Sequence, residues 1–196
     1  MTTLFDTYAD VMTTLDQTTA ELATEYQAQM QCRAGCFGCC IDGFRIRYIE
    51  AVEILKGFAQ LPPEQAAQVI AQLQGPSTGR CPMLVEGQCS VYANRPALCR
   101  AFGLIVQVQD SYGSCSLNFQ EVESLSSLKA LNLSPYYEVI EELSQRLWEA
   151  QPLPNLPATV DGSTEPGKAP RLSIRRYLSS LLSLQAQAEP CPAGSA

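Results

Sequence analysis

Eight of the chain's nine cysteines lie between Cys32 and Cys115, four of them packed into the nine residues CRAGCFGCC, and the chain has no histidine. Thiols at such density serve as disulfide halves, redox catalysts, metal ligands or buried filler. A chain of 196 residues can bury a hydrophobic core without covalent staples. Its start, MTTLFDTYADVMTTLDQ, carries Asp6, Asp10 and Asp16 and lacks the basic head and continuous apolar run of a secretory signal. The expected compartment is therefore cytoplasmic, where thiols stay reduced and clustered cysteines point to metal or redox chemistry. The missing histidine removes Cys2His2 zinc sites, Cys–His and Ser–His–Asp catalysis and His-based metal catalysis together. A net charge of −7 argues against nucleic-acid binding, which needs a basic surface. No apolar run is long enough for a membrane span.

Hydrophobic periodicity predicts a mainly α fold: helices around an irregular Cys-rich metal-binding core with a small β-hairpin. An amphipathic helix is expected over 3–31, with Leu4, Tyr8, Val11, Leu15, Leu22 and Tyr26 on one face. Further helices are expected over 48–60, over 63–74 with Pro63 in its first turn, near 119–131, over 135–150 and over 171–187. Met83–Val85 and Ser90–Tyr92 flank Glu86-Gly87-Gln88 as a hairpin, Pro96 opens a short helix bearing Cys99 and Phe102, and 104–109 reads as a strand. Residues 151–170 hold five prolines and two glycines and read as a linker. This divides the chain into a Cys-cluster domain (1–150) with an N-terminal helix, the linker (151–170), and a C-terminal helix and tail (171–196).

The first cluster has the spacing C-x3-C-x2-C-C: Cys32, Cys36, Cys39 and Cys40. A C-x2-C step lets two sulfurs converge on one ion, and Gly35 and Gly38 permit the tight turns of such a loop. Thiolate sulfur selects zinc and iron–sulfur centres. Adjacent Cys39 and Cys40 do not readily pair with each other; they serve different ions, or one ligates while the other packs. Cys81, Cys89, Cys99 and Cys115 form a dispersed second group, and hairpin closure would draw Cys81 and Cys89 together. Eight thiols suffice for two four-sulfur sites, or for one site plus bystanders. Isolated Cys191 reads as an inert tail residue. Of 13 Lys and Arg residues, seven fall within 33–100, and Arg33, Arg80 and Arg100 each adjoin a cysteine. Guanidinium groups there would offset thiolate charge from outside the ligand shell, a role assigned chiefly to Arg95 and Arg100. A thioredoxin-like reductase or a radical S-adenosylmethionine barrel would need alternating β/α units, which the pattern lacks.

The pieces CRAGCFGCC, CPML and GQCSVYANRPALCRAFG resemble the YkgJ-type cysteine-cluster, or CxxCxxCC, family of zinc- or iron-chelating, often Fe–S-labelled proteins. The resemblance covers roughly residues 30–115. It implies metal ligation by Cys32, Cys36, Cys39, Cys40, Cys81, Cys89, Cys99 and, outside the most recognisable block, Cys115. It further suggests that Pro82 and Pro96 stiffen the backbone beside ligands, that Gly87 permits the hairpin turn, that Tyr92 and Phe102 pack over the site, and that Arg95 pairs with Glu86 or another carboxylate. Structural zinc sites usually show two C-x2-C knuckles and this chain has one, whereas iron–sulfur clusters accept looser spacing, so an iron–sulfur cluster is favoured over zinc. The expected function is metal binding on an eight-cysteine motif. A structural-zinc adaptor, with a protein partner on the C-terminal helices, and a cluster-dependent protein-modifying enzyme are the alternatives. No paired carboxylates, nucleophile–base pair or phosphate loop marks a catalytic centre.

Overall fold

The first helix begins where Thr3 and Asp6 cap one another: Asp6 N–H donates to Thr3 Oγ1 (3.1 Å) and Thr3 N–H donates to Asp6 Oδ2 (2.8 Å). The computed structural model describes residues 3–33, 35–152 and 168–188, with side chains up to 181. Most of the Pro-rich linker, and Cys191 in the tail, fall outside the described residues. From its cap, α1 (Leu4–Glu25) buries Tyr8, Met12, Leu15 and Leu22 along one stripe. Met12 takes the inward place that the periodicity gave to Val11, which is half-buried. The helix stops at Glu25, short of the expected 31, and a 3-10 turn over Gln27–Gln29 leads into the cysteine loop.

Two helices follow as expected: α2 (Tyr48–Ala59) and α3 (Pro63–Gln74), the latter with Pro63 in its first turn, where a missing N–H costs nothing. The short α4 (Ala97–Ala101) carries Cys99, and α5 (Ser134–Ala150) buries Ile140, Leu143, Ser144 and Leu147. Helix α5 packs on both α1 and α2. Between α2 and α5, Ile49 N–H donates to Ser144 Oγ (3.2 Å), and the Tyr48 ring meets Trp148 edge-on at 5.1 Å.

The strands are short. β1 (Arg45–Ile46) pairs antiparallel with β7 (Leu172–Ser173), which runs directly into the last helix, α6 (Ile174–Ala188). β2 (Leu84–Val85) and β3 (Gln88–Cys89) form the expected hairpin, with Leu84 opposite Cys89. Its two-residue turn, Glu86-Gly87, has φ of 51° and 75°, the left-handed pair that matches strand twist. β4 (Val106–Val108) pairs antiparallel with β5 (Ser111–Gly113) and parallel with β6 (Leu131–Asn132). Among the described residues the six α-helices dominate and the strands make only small sheets, so the fold is mainly α.

The helix expected near 119–131 does not form. Phe119 is left-handed (φ 55°) and its N–H bonds Gln29 O (3.1 Å), which ties the segment to the end of α1 instead. Ser124, Ser126 and Ser127 then bond one another and the local backbone, the competition that makes serine a poor helix interior. A 3-10 turn over Leu125–Ser127 and strand β6 replace the helix.

The apolar stripe of the C-terminal segment faces its own chain: Leu172, Ile174, Tyr177 and Leu178 all belong to the buried core. Among the described residues no helix is long and apolar enough to cross a membrane.

Candidate metal centre

All eight cysteines of the described residues are free thiols. Cys40 and Cys81 are brought face to face by the backbone. Ile41 and Arg80 form an antiparallel bridge, flanked by Cys81 N–H to Cys40 O (3.0 Å) and Asp42 N–H to Gly79 O (3.1 Å). Residues 40 and 81 are therefore directly opposite, and opposite residues of antiparallel strands point to the same face. From Cys81 the chain turns, with Leu84 N–H on Cys81 O (3.0 Å), into the hairpin whose register sets Cys89 across from Leu84. Cys99 follows on α4, aimed into the same region: its thiol feels the charges of Cys81 and Cys89, and Cys40 feels those of Cys81, Cys89 and Cys99.

A second neighbourhood forms around Asn118. This buried side chain accepts from Gln31 N–H (2.7 Å), and its amide donates to Gly103 O (2.6 Å) and to Cys32 Sγ (3.3 Å). Its own backbone N–H bonds Cys115 O (2.9 Å). Asn118 thus links Cys32 to Cys115, residues far apart in sequence. Gly103 has φ 106°, a conformation that favours glycine, and a Cβ there would stand 2.9 Å from Cys32 Sγ. Cys36 sits one turn on, its N–H on Arg33 O (2.9 Å), and Cys32 feels the charges of Cys115, Cys36 and Cys39.

Burial pushes the Cys81 thiol up to about 11 and the Cys99 thiol up to about 12, the latter helped by neighbouring Cys81, Glu50 and Cys89. Burial also raises Cys89 and Cys32. A shared hydrogen bond raises Cys39 and lowers Cys40, so Cys39 is the donor. Opposing these shifts, the Met83 N–H points at the Cys81 sulfur and the Val91 N–H at the Cys89 sulfur. An amide two residues past a cysteine, aimed back at its sulfur, stabilises thiolate and orients it as a ligand. The donor set therefore fits a soft cation in kind: reduced sulfurs in facing loops, with N–H groups directed at them. As they stand, no three Cys, Asp or Glu side chains among the described residues are gathered tightly enough to hold an ion.

The arginines divide by role. Arg95 Nη1 donates to Cys99 O (3.4 Å) and Nε to Tyr92 O (3.0 Å), and its charge favours thiolate at Cys39, Cys89 and Cys99. It lies 3.5 Å above the Tyr92 ring, and no ion pair to Glu86 is seen among the described residues. Tyr92 is 62% exposed, an outer platform for Arg95 rather than a packed lid. Phe102 instead leans on Phe44 at 5.8 Å. Arg100 directs its donors to Asp16, Ala93 O and Arg95 O, fastening α4 to α1. Arg80 reaches Phe37 O and Gly38 O (3.4 Å each), holding the first cysteine loop from below.

Three positioning groups carry no motif signal. Asn118 stands three residues after Cys115 with nothing in its surroundings to mark it. Glu50, 2% exposed, looks like an ordinary helical acid in sequence, yet its carboxylate accepts Arg47 N–H (2.8 Å) and Ala97 N–H (2.9 Å), joining the starts of α2 and α4. Burial raises its pKa, against those two N–H groups. The Asp42–Arg175 pair spans more than a hundred residues.

The helical scaffold thus carries eight free thiols on its loops, its hairpin and α4, with Cys40 and Cys81 on directly facing backbone. Residues 31–120 match the model of the CxxCxxCC family, described as "putative zinc- or iron-chelating domain". No curated protein and no solved structure matches the chain.

Proposed function

We propose that the protein binds metal through the thiolates of Cys32, Cys36, Cys39, Cys40, Cys81, Cys89, Cys99 and Cys115, and that it carries an iron–sulfur cluster, with zinc as the other cation this ligand set accepts. The observation that carries the reading is the bridge that sets Cys40 opposite Cys81, with the Met83 and Val91 amides aimed at the Cys81 and Cys89 sulfurs. Core filler has no need of such amides. Thiols held above their ordinary range by burial would give up their protons to solvent as a cation binds, its charge offsetting the cost of burying sulfur as thiolate. When bound, the metal would supply a redox couple as a cluster, or structural cross-linking as zinc. Arg95 would then moderate the summed negative charge of the ligands.

The cytoplasmic setting expected from the sequence is one in which such thiols would stay reduced. The adaptor alternative is weakened by the buried stripe on α6, because Tyr177 and Leu178 are not available to a partner. Metal analysis of anaerobically purified protein is the direct test. Brown protein holding iron with acid-labile sulfide is expected, and Cys36→Ser and Cys39→Ser should both lower the metal content. Protein holding neither iron nor zinc would overturn the reading.

A further inference from the structure

We propose that the surface around the first cysteine loop is a docking site for an acidic segment of a partner protein. Five of the seven large apolar side chains exposed among the described residues, Phe37, Ile41, Tyr92, Tyr112 and Leu117, lie within three residues of a cysteine. Geometry joins three of them. Phe37 stands between Cys36 and Cys39 with its ring against the hairpin turn, where a Cβ on Gly87 would be 3.5 Å from Phe37 Cε1. Ile41 pairs with Arg80 across the bridge, so both side chains share one face, and the Arg80 guanidinium lies 5.5 Å from the Phe37 ring. Tyr92 follows the same hairpin and carries Arg95 at 3.5 Å over its ring. Exposed apolar groups gathered in this way mark interaction surfaces, and tyrosine and arginine lead the residues that anchor protein interfaces.

Charge decides the occupant. Residues 31–46 and 77–103 hold five arginines against two carboxylates, Asp42 and Glu86, in a chain whose net charge is −7. Asp42 is taken up by Arg175, and Arg100 by Asp16. Arg33 and Arg80 are exposed and Arg95 is half-buried, and among the described residues no carboxylate pairs with any of the three. Arg80 and Arg95 spend part of their donors on backbone carbonyls, which holds each guanidinium in place beside its ring. Carboxylates of a partner would meet these fixed forks while its apolar side chains cover Phe37 and Ile41. A nucleic acid fits less well: its phosphates continue past the patch onto an acidic molecule, whereas a protein presents its acids locally. The docking face differs from the α6 stripe, which is buried in the chain's own core.

Fluorescence anisotropy tests this on anaerobically purified full-length protein, with a labelled random copolymer of glutamate and tyrosine as the acidic probe and oligo-dT as the competing polyanion. The native protein should bind the copolymer, more weakly as salt rises. Phe37→Ser, Tyr92→Ser and Arg33→Glu should each reduce the affinity about tenfold. Val139→Ser, which removes an exposed apolar side chain on α5 away from the cysteines, should bind like the native protein. Unchanged helical circular dichroism controls for folding. No binding of the copolymer, undiminished binding in all three patch variants, or tighter binding of oligo-dT than of the copolymer overturns the docking site and leaves the metal-binding reading untouched.

Discussion

Asn118 illustrates how much of this site depends on a residue that ligates nothing. Its side chain answers the N–H of Gln31 and the carbonyl of Gly103 while steering the Cys32 sulfur. Asn118→Ala leaves both backbone groups without partners, at a cost of about 1–3 kcal/mol. Urea denaturation should register that loss even in metal-free protein, and the variant should bind metal more weakly than Cys-intact controls of equal stability. At this scale the cysteines themselves were legible, because sulfur chemistry and spacing restrict what they can do. Asn118 and Glu50 were not. Their roles arise from residues 87 and 47 positions away, and a single polar side chain carries no period or spacing from which to infer a distant partner.

Among the elements, those with local signals formed where the sequence placed them. The Thr3–Asp6 box starts α1, Pro63 starts α3, and Glu86-Gly87 turns the hairpin. Segment 119–131 had apolar spacing without a cap, and its backbone found better partners in Gln29 and in its own serines. The C-terminal helix and its apolar stripe were legible, but the polar contact that joins it to the first cysteine loop was not, because that contact is made through Arg175. That guanidinium pairs with Asp42 beside the first cysteine loop and also donates to Gln72 O (2.8 Å), Leu73 O (3.3 Å) and Gly75 O (3.4 Å) at the end of α3. Both partners are largely buried, with side-chain exposures of 15% and 11%. Arg175→Met strands the Asp42 carboxylate and should destabilise the protein by on the order of 3 kcal/mol. Hydrogen exchange should show the effect concentrated in β1, β7 and α6, with α1 and α5 protected as before. Uniform loss of protection throughout the molecule would contradict a latch acting locally.

For the molecule as a whole, the helices have a core of their own, whereas the cysteine loops rely on turns, single bridges and two-residue strands. Ligand binding to the folded state adds stability as the logarithm of free metal over its dissociation constant, about 2.7 kcal/mol at a hundredfold excess. Chelation should accordingly lower the melting temperature, and it should expose amides of residues 31–46 and 79–103 before those of α2 and α5. An unchanged melting temperature after verified metal removal would mean that the ion contributes nothing to the fold.

Strand β1, which leaves the first cysteine loop, has its partner in β7, and Asp42 in that loop has its partner in α6. Protein synthesis runs in one direction, so all eight sulfurs emerge from the ribosome before the strand and helix that pin their loop. A nascent chain therefore meets its first metal with that loop still untethered, and the last of these elements to be translated closes the door behind it.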